Sequence, residues 1–182
     1  MTITISHHDH HDATDLRPLL LKLYTEIYTA PDFPGGQRAF DSAERFAQGL
    51  DGWSSRPGWS CVVGHDGDQA VGFAYGAPLP PDARWWGGLL TDVPPDLTAE
   101  TGTRTYAFSE LMVRTPWRGT GAARQLHDAL LADRVEERAT LLVDQTHPKV
   151  RALYEGWGWH VLGYLRPRIP DAPLFHAMLR PL

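Results

Sequence analysis

Residues 110–132 read ELMVRTPWRGTGAARQLHDALLA and join a strand to a helix through a loop that contains two glycines. Residues 106–113 predict the strand, Thr115-Pro116 interrupts it, and the helix begins near Thr120 or Gly121. Within that helix, apolar residues recur at helical spacing at Ala122, Leu126, Ala129 and Leu130. This strand, loop and helix decide the fold, and the other elements are assigned around them.

The composition of the loop favours a close approach between its backbone and a ligand. Gly119 and Gly121 carry no side chain and two alanines follow, so little would obstruct that approach. The N–H groups at the helix start and the helix dipole favour an anion by roughly 0.3–1 kcal/mol. The loop therefore predicts a pyrophosphate cradle, with a tight turn that binds nothing as the alternative. A dinucleotide fingerprint is disfavoured because Arg124 replaces its third glycine, and a P-loop because no Gly-Lys-Ser/Thr follows.

The pattern along the remaining chain predicts a mixed α/β protein. Strands are predicted over residues 2–5, 59–63, 70–76, 106–113, 140–144, 159–165 and 174–179. Helices are predicted over residues 15–29, 37–50 and 147–155, in addition to the one after the glycine loop. Residues 78–102 form a long connection rich in Pro, Gly and Trp, which is typical of a binding element or a lid. With 182 residues and no linker, we expect one domain over residues 1–182.

Two motifs resemble one known family. Arg118-x-x-Gly121-x-Ala123, preceded by Leu111-Met112-Val113 and a proline, resembles the acyl-CoA-binding motif of the GNAT N-acetyltransferases. Leu153-Tyr154-Glu155-x-Trp157-Gly158-Trp159 resembles that family's Leu-Tyr-x-x-x-Gly-Phe signature and follows in the order that the family has. The resemblance implies a mixed, mostly antiparallel sheet flanked by helices, with splayed central strands. It also implies an acetyl-CoA-dependent N-acetyltransferase.

The same resemblance implies acetyl-CoA as the acyl donor, and we expect no metal. The pantetheine arm would lie between the strands over residues 110–113 and 141–144, and backbone amides of the glycine loop would hold the pyrophosphate. The expected donor-binding residues are Leu111, Met112, Val113, Arg118, Gly119, Thr120, Gly121, Ala122, Ala123, Arg124, His147 and Tyr154. His147 departs from the family pattern, because the family often has Asn at that position, seven residues before the tyrosine.

Two residues are expected to move protons. Tyr154 matches the family's general-acid tyrosine, and a phenol with a pKa near 10 suits donation to a departing thiolate. The alternative for Tyr154 is a ring packed in the core. Glu110 is the first candidate for the base that deprotonates the acceptor amine, with a surface or ion-paired glutamate as the alternative. His176 and Asp144 are the other candidates for that base.

The acceptor would bind in the more variable half of the family's fold. We expect substrate-binding residues at Tyr28, Phe33, Trp85, Trp86 and His176, since aromatic side chains suit an amine with an apolar or cationic body. Ordinary core packing is the alternative for Tyr28 and for the two tryptophans. The expected reaction is acetyl transfer to a primary amine of a small molecule. A protein or peptide acetyltransferase and a non-catalytic acyl-CoA-binding module are the alternatives.

Composition argues against several other classes of protein. The formal net charge of −5 disfavours a broad nucleic-acid-binding surface. No segment approaches the roughly 18–20 apolar residues of a membrane span, and the single cysteine, Cys61, is expected to be a small buried hydrophobe. We therefore expect a cytoplasmic protein without membrane or nucleic-acid partners, and a homodimer is possible by analogy. The His-rich run over residues 7–12 predicts a solvated loop rather than a metal site.

Overall fold

The computed structural model describes residues 3–30 and 41–182, and the chain forms two compact units. Unit 1 comprises Met1–Ala77 and Ser109–Arg134, and unit 2 comprises Pro78–Phe108 and Val135–Leu182. In chain order the elements are β1 (Thr4–Asp9), α1 (Ala13–Tyr28), α2 (Ala43–Ser54), β2 (Ser60–Asp66), β3 (Gln69–Pro78), α3 (Pro95–Thr98), β4 (Thr105–Val113), α4 (Ala122–Leu131), β5 (Arg138–Asp144), α5 (Pro148–Gly156), β6 (His160–Leu165) and β7 (Phe175–Pro181).

The seven strands of the described residues form one sheet in the order β1-β2-β3-β4-β5-β7-β6. Four strand pairs are antiparallel, namely β1–β2, β2–β3, β5–β7 and β6–β7, whereas β4 and β5 are parallel. The β4–β5 register covers Thr105–Ala107 against residues 138–140, although both strands continue beyond it. The mixed and mostly antiparallel α/β fold class predicted from the sequence is confirmed.

Helix α1 contributes an apolar stripe to the core of unit 1. Its buried residues recur every three or four positions, which places them on one face of the helix; they are Leu16, Leu20, Leu23, Tyr24 and Ile27. The helix begins two residues earlier than predicted, so Pro18 lies beyond the first turn. A proline there removes one backbone N–H donor from the interior of the helix.

Helix α2 differs from its predicted bounds at both ends. The prediction over residues 37–50 lies partly outside the described residues, and the helix runs from Ala43 to Ser54. Ser42 is its N-cap, and the Ser42 Oγ accepts a hydrogen bond from the Arg45 N–H at 3.2 Å. The helix continues past Gly52 because Trp53, near its end, packs against the core of unit 1.

Helix α4 buries a stripe that the sequence predicts only in part. Ala122, Leu126 and Leu130 are buried as expected, whereas Ala129 is half-buried. The side chain of His127 is fully buried instead, and its Nδ1 lies 2.8 Å from an Asp128 carboxylate oxygen. A polar contact at its edge lets this imidazole occupy an otherwise apolar interior.

A buried ionic network in unit 2 fixes the long connection over residues 78–104. The Glu100 Oε1 accepts hydrogen bonds from the Trp86 Nε1 (2.8 Å), the Thr105 Oγ1 (2.9 Å) and the Arg138 guanidinium (3.2 Å). Arg138 also donates to the Leu97 carbonyl oxygen at 2.7 Å. Because a buried charge is costly unless it is paired, these contacts hold the connection on β4 and β5. The connection therefore carries short helical turns and specific anchors rather than a featureless loop.

No described helix combines the length and the apolar character that crossing a bilayer requires.

Candidate active site

The glycine loop of unit 1 has a backbone conformation that favours its glycines. Gly119 has φ +74° and Gly121 has φ +90°, in the left-handed region that side chains disfavour. Gly121 is the N-cap of α4, and its carbonyl oxygen accepts the Gln125 N–H at 3.1 Å. The N–H groups of residues 122–124 therefore precede the first bond of the helix. Apart from the glycine and the residues next to it in the chain, no described residue has an atom within 4 Å of a Cβ built at either position, so the space beside both is open to a ligand.

Side chains next to the glycines hold the loop in place. The Arg118 Nε donates to the Val113 carbonyl oxygen at 3.1 Å, which closes the loop onto the end of β4. The Thr120 Oγ1 donates to the Trp117 carbonyl oxygen at 2.7 Å, and the Trp117 Nε1 donates to the Asp66 carboxylate at 3.1 Å. These hydrogen bonds, all between groups of the protein, define the shape of the loop.

The end of β4 directs one backbone donor away from β3. A Cβ at Gly72 on β3 would overlap the Met112 carbonyl oxygen, so this carbonyl faces β3. No cis peptide occurs in the part of the chain that is described, so the Val113 N–H points to the opposite edge of β4. The Arg114 N–H donates to the Val71 carbonyl oxygen at 2.8 Å, as the alternation along a strand requires. Val113 thus presents a donor of the kind that stabilises an oxyanion.

Glu110 lies on β4 near three phenols and a second carboxylate. Burial, followed by the negative charge of Asp41, raises the pKa of Glu110 from 4.5 to about 8. Burial also raises the pKa of Tyr24, Tyr28 and Tyr75, and the charge of Glu110 raises each of them further. The residue is nevertheless partly exposed. Such a carboxyl is mostly protonated at pH 7, and its ionised form is a stronger base than an ordinary glutamate.

The two tyrosines of α1 whose pKa values depend on Glu110 differ in burial. The Tyr24 ring stacks on Tyr28 at 4.2 Å and on Phe46 at 3.9 Å, and its hydroxyl donates to the Asp41 carbonyl oxygen at 2.8 Å. Tyr24 is buried and belongs to the core, whereas Tyr28 is half-buried at the margin of the core. Phe33, the other residue predicted for this part of an acceptor pocket, lies outside the described residues.

Tyr154 lies on α5 of unit 2 inside an aromatic cluster. Its ring meets Trp157, Trp159 and Phe108 edge-on, with centroid distances of 5.4, 6.0 and 6.5 Å. The side chain is 8% exposed. The ring is therefore packed in the core, as the alternative prediction holds. The same packing fixes its orientation, which a proton donor also needs.

His147 is the N-cap of α5. Its carbonyl oxygen accepts the N–H groups of Val150 (3.0 Å) and Arg151 (3.1 Å), but its side chain makes no capping hydrogen bond. Asn, which the family often has at this position, is among the best N-cap residues. Its side chain would accept a hydrogen bond from a backbone N–H of the first turn, which the His147 side chain does not do. The half-buried imidazole remains a candidate for donor binding.

The two other candidate bases also lie in unit 2. His176 on β7 is 8% exposed, its Nδ1 has no hydrogen-bond partner among the described residues, and its ring lies 5.1 Å from that of Tyr164. Burial lowers the pKa of His176, as does the charge of Arg151. The Asp144 Oδ1 accepts hydrogen bonds from the Thr146 N–H (2.8 Å) and hydroxyl (2.7 Å), so this carboxylate organises the turn before α5.

Trp85 and Trp86 differ in environment although they are adjacent. Trp86 is buried and its Nε1 is bonded to Glu100, so it anchors the 78–104 connection. Trp85 is half-buried and meets Trp86 edge-on at 6.5 Å. Trp85 thus has more of its surface exposed than Trp86.

Two residues near Glu110 were not assigned from the sequence. Tyr75 lies within the predicted strand over residues 70–76, and pairing of β3 with β4 as neighbours would have brought it near Glu110. The charge of Asp41 raises the pKa of Glu110, and nothing in the sequence around Asp41 predicts this effect.

A family model described as the Acetyltransferase (GNAT) family matches residues 18–159 of the chain. The chain belongs to this family. It is accordingly an acetyltransferase, and the expectation drawn from the two motifs is confirmed. Among curated proteins, none matches this GNAT chain.

Solved structures of GNAT acetyltransferases share the fold of this GNAT chain. An acetyltransferase from Thermus thermophilus matches at a TM-score of 0.62 with 18% identity, covering 100% of this chain and 98% of that one. An aminoglycoside 6'-acetyltransferase type Ii matches at 0.63 with 18% identity, covering 98% and 96%. A spermidine N-acetyltransferase chimera from Vibrio cholerae matches at 0.58 with 15% identity, covering 100% and 96%. At these identities the likeness concerns the fold.

The residues of this GNAT chain fit the donor that its family generally uses, acetyl-CoA. The open space beside Gly119 and Gly121 is a cradle that a Cβ would fill. The N–H groups at the start of α4 supply neutral donors for a pyrophosphate without bulky side chains. Arg124 at this helix start has its Nε bonded to the Asp128 carboxylate at 2.6 Å, so its backbone N–H is the more available donor.

Proposed function

We propose that this GNAT acetyltransferase moves the acetyl group of acetyl-CoA directly to a primary amine of a small molecule. One arrangement in unit 1 carries the proposal. Glu110 and the Val113 N–H lie on the same strand, and the glycine loop follows that strand at the N-terminus of α4. A base, an oxyanion donor and an anion cradle thus follow one another within residues 110–124.

Donor binding is assigned to the end of β4 and the loop after it. Backbone groups of residues 111–113 and 118–124 would hold acetyl-CoA, which supplies the activated acetyl group as a thioester. The Val113 N–H is assigned to the acetyl carbonyl oxygen, where a preorganised donor is worth several kcal/mol in a site that excludes water. The Arg118 backbone N–H donates to the Thr115 carbonyl oxygen at 3.1 Å, so Arg118 is assigned to donor binding through its side chain, which shapes the loop at Val113.

Glu110 is assigned the removal of a proton from the acceptor. An alkylamine with a pKa of about 10.4 is protonated at pH 7, and its neutral form costs about 4.6 kcal/mol. One proton of the ammonium passes to Glu110 directly or through water, the nitrogen forms the bond to the acetyl carbon as the carbon–sulfur bond breaks, and the second proton of the nitrogen is released to solvent. With a pKa of about 8, the Glu110 carboxylate holds that proton more strongly than an ordinary glutamate would. His176, whose lowered pKa keeps it neutral, is the second candidate for the base.

Tyr154 is assigned the proton that the departing thiolate needs. The phenol transfers its proton to sulfur and regains one from solvent, which leaves CoA as the free thiol and the acetylated amine as the product. Packing against Phe108, Trp157 and Trp159 holds the ring during that transfer. His147, at the start of α5, is kept as a donor-binding residue.

The surroundings of Glu110 support an amine with a cationic body. The Asp41 carboxylate raises the pKa of Glu110, the charge of Glu110 raises the pKa of three phenols, and aromatic faces together with carboxylates attract cations. Tyr28 and Trp85 are the assigned wall residues. Solved structures of similar fold include an aminoglycoside and a spermidine acetyltransferase, which agrees with a small cationic acceptor.

Release of CoA thiol across a panel of acceptors tests the reaction and its substrate class. We expect turnover with small polyamines, aminoglycosides or other cationic amines and none with peptides. Turnover with peptides alone would overturn the small-molecule assignment. Failure to bind acetyl-CoA in calorimetry would overturn the donor assignment as a whole.

The variant Tyr154→Phe tests the proton donor. We expect turnover to fall by about 10²-fold or more, with acetyl-CoA affinity nearly unchanged. Phe108→Leu is the matched control, because it disturbs the same cluster and keeps the phenol. Equal losses of turnover in both variants would show that Tyr154 acts by packing alone.

We also propose that residues 1–182 are one domain, which a single cooperative unfolding transition would support.

A further inference from the structure

The His-rich run near the N-terminus forms a compact cluster of metal-ligating groups. Asp9 ends β1, and His10 and His11 lie in the turn before α1. One ligand atom from each of these three residues lies within 4.8 Å of the others. All three side chains are exposed. The solvated loop predicted over residues 7–12 is wrong for residues 7–9, which pair with β2 as part of β1, and the turn that follows gathers these three groups.

Hydrogen bonds hold this turn in shape without any ligand. The Asp12 N–H donates to the Asp9 carbonyl oxygen at 3.1 Å, and the Asp9 N–H donates to the Asp12 Oδ2 at 3.2 Å. The His11 N–H donates to the Asp9 Oδ1 at 2.7 Å, which orients that carboxylate. A carboxylate has two oxygens, so one bond of this kind leaves it able to ligate a metal. The spacing of the ligands is therefore set by the backbone, which lowers the entropy lost on binding.

We propose that Asp9, His10 and His11 form a surface site for a divalent transition metal such as Zn²⁺. Two imidazoles and one carboxylate are a ligand set that Zn²⁺ favours, with metal–ligand distances of about 2.0–2.2 Å. Ligand atoms of one such site lie about 3–3.5 Å apart on that geometry. The exposed side chains reach it from within 4.8 Å by small rotations.

The neighbouring histidine is excluded from the ligand set. The His8 Nε2 lies 2.8 Å from the Ser6 hydroxyl, and its Nδ1 lies 3.5 Å from the Asp12 carboxylate, so both nitrogens are already engaged. The site thus has three protein ligands, and water completes the coordination. None of these residues belongs to the proposed acetyl-transfer machinery, so the metal site stands or falls independently of it.

Titration of the full chain, free of any affinity tag, with Zn²⁺ tests this site. We expect one ion per chain with micromolar affinity by calorimetry, and Co²⁺ in its place should give visible absorption bands of a site with nitrogen and oxygen ligands. His10→Ala combined with His11→Ala should weaken binding at least about tenfold. Asp9→Asn should weaken it as well while keeping the size of the side chain.

The control is His160→Ala, which removes another exposed histidine on β6 and should leave the affinity unchanged. Exposed residues are replaced in every variant, and an unchanged unfolding midpoint without metal checks that each one folds. No binding up to millimolar Zn²⁺ would overturn the proposal. Equal affinity in the double variant and the natural chain would overturn it too, since the ion would then bind elsewhere.

Discussion

The substitution Glu110→Gln tests the assigned base through the stability of the protein. Burial, with a smaller effect of Asp41, raises the pKa of Glu110 from 4.5 to about 8. The folded protein therefore keeps this proton at pH values where the unfolded chain has lost it, and stability falls as the pH rises from about 4.5 to about 8. At 1.36 kcal/mol for each tenfold difference, that loss amounts to about 5 kcal/mol. Partial exposure of Glu110 makes this figure an upper limit.

Denaturant unfolding at pH 5, 7 and 9 measures this effect. Glutamine cannot ionise, so Glu110→Gln should match the natural protein near pH 5 and become more stable than it by a few kcal/mol at pH 9. Glu137→Gln is the matched control, because it makes the same replacement at a glutamate that is 72% exposed. A stability difference between Glu110→Gln and the natural protein that stays constant with pH would refute the raised pKa.

The same variant separates the base from the acceptor in the pH dependence of the rate. Deprotonation of the acceptor raises kcat/KM in both proteins, so the ratio of the natural protein to Glu110→Gln isolates Glu110. We expect this ratio to rise toward pH 8 and then level off at about 10²–10⁴. A ratio that does not change with pH would remove Glu110 as the base, even if the stability measurement confirms its pKa.

Three further substitutions, one of them with a matched glycine control, test the loop, the cap and the buried network. Gly121→Ala should destabilise the protein by about 1–2 kcal/mol, because residue 121 has a positive φ, and should weaken acetyl-CoA binding. Gly52→Ala, in the exposed part of α2, is the control and should stabilise the protein by about 1 kcal/mol. Denaturant unfolding and acetyl-CoA calorimetry on both variants measure these effects. His147→Asn should supply the missing cap of α5 and raise stability by about 1 kcal/mol, and an unchanged unfolding midpoint would contradict that reading. Arg138→Met should cost about 3–5 kcal/mol, since it leaves Glu100 charged and buried, and a loss below about 1 kcal/mol would show that the network contributes little.

The sequence predicts best those features that depend on neighbouring residues. The glycine loop and the start of α4 are local, because a positive φ at Gly121 is a property of a single residue and its turn. The predicted ends of strands β2 to β7 agree with the structure to within three residues for the same reason, whereas β1 runs to Asp9, four residues beyond its predicted end. Burial of His127 was not predicted, because a histidine in an apolar stripe gives no sign of its partner until the helix is packed.

The surroundings of the site depend on contacts between distant residues, and the sequence does not display them. The place of Glu110 on a strand makes it a candidate base, but its pKa depends on burial and on Asp41, which come from other parts of the chain. Trp86 was predicted as a pocket wall because aromatic residues often line pockets. Its bond to Glu100 adds an anchoring role that the sequence does not display, and the place of Trp86 in a pocket wall stays a prediction.

The burial of Cys61 has a practical consequence for work on this protein. The side chain is 0% exposed and burial raises the pKa of its thiol, so the thiolate that reacts with disulfide reagents or maleimides is scarce. It is also the single cysteine of the chain. Colorimetric detection of released CoA should therefore have almost no background from the enzyme. Fluorescent or spin labels can likewise be directed to a newly introduced surface cysteine without first replacing Cys61.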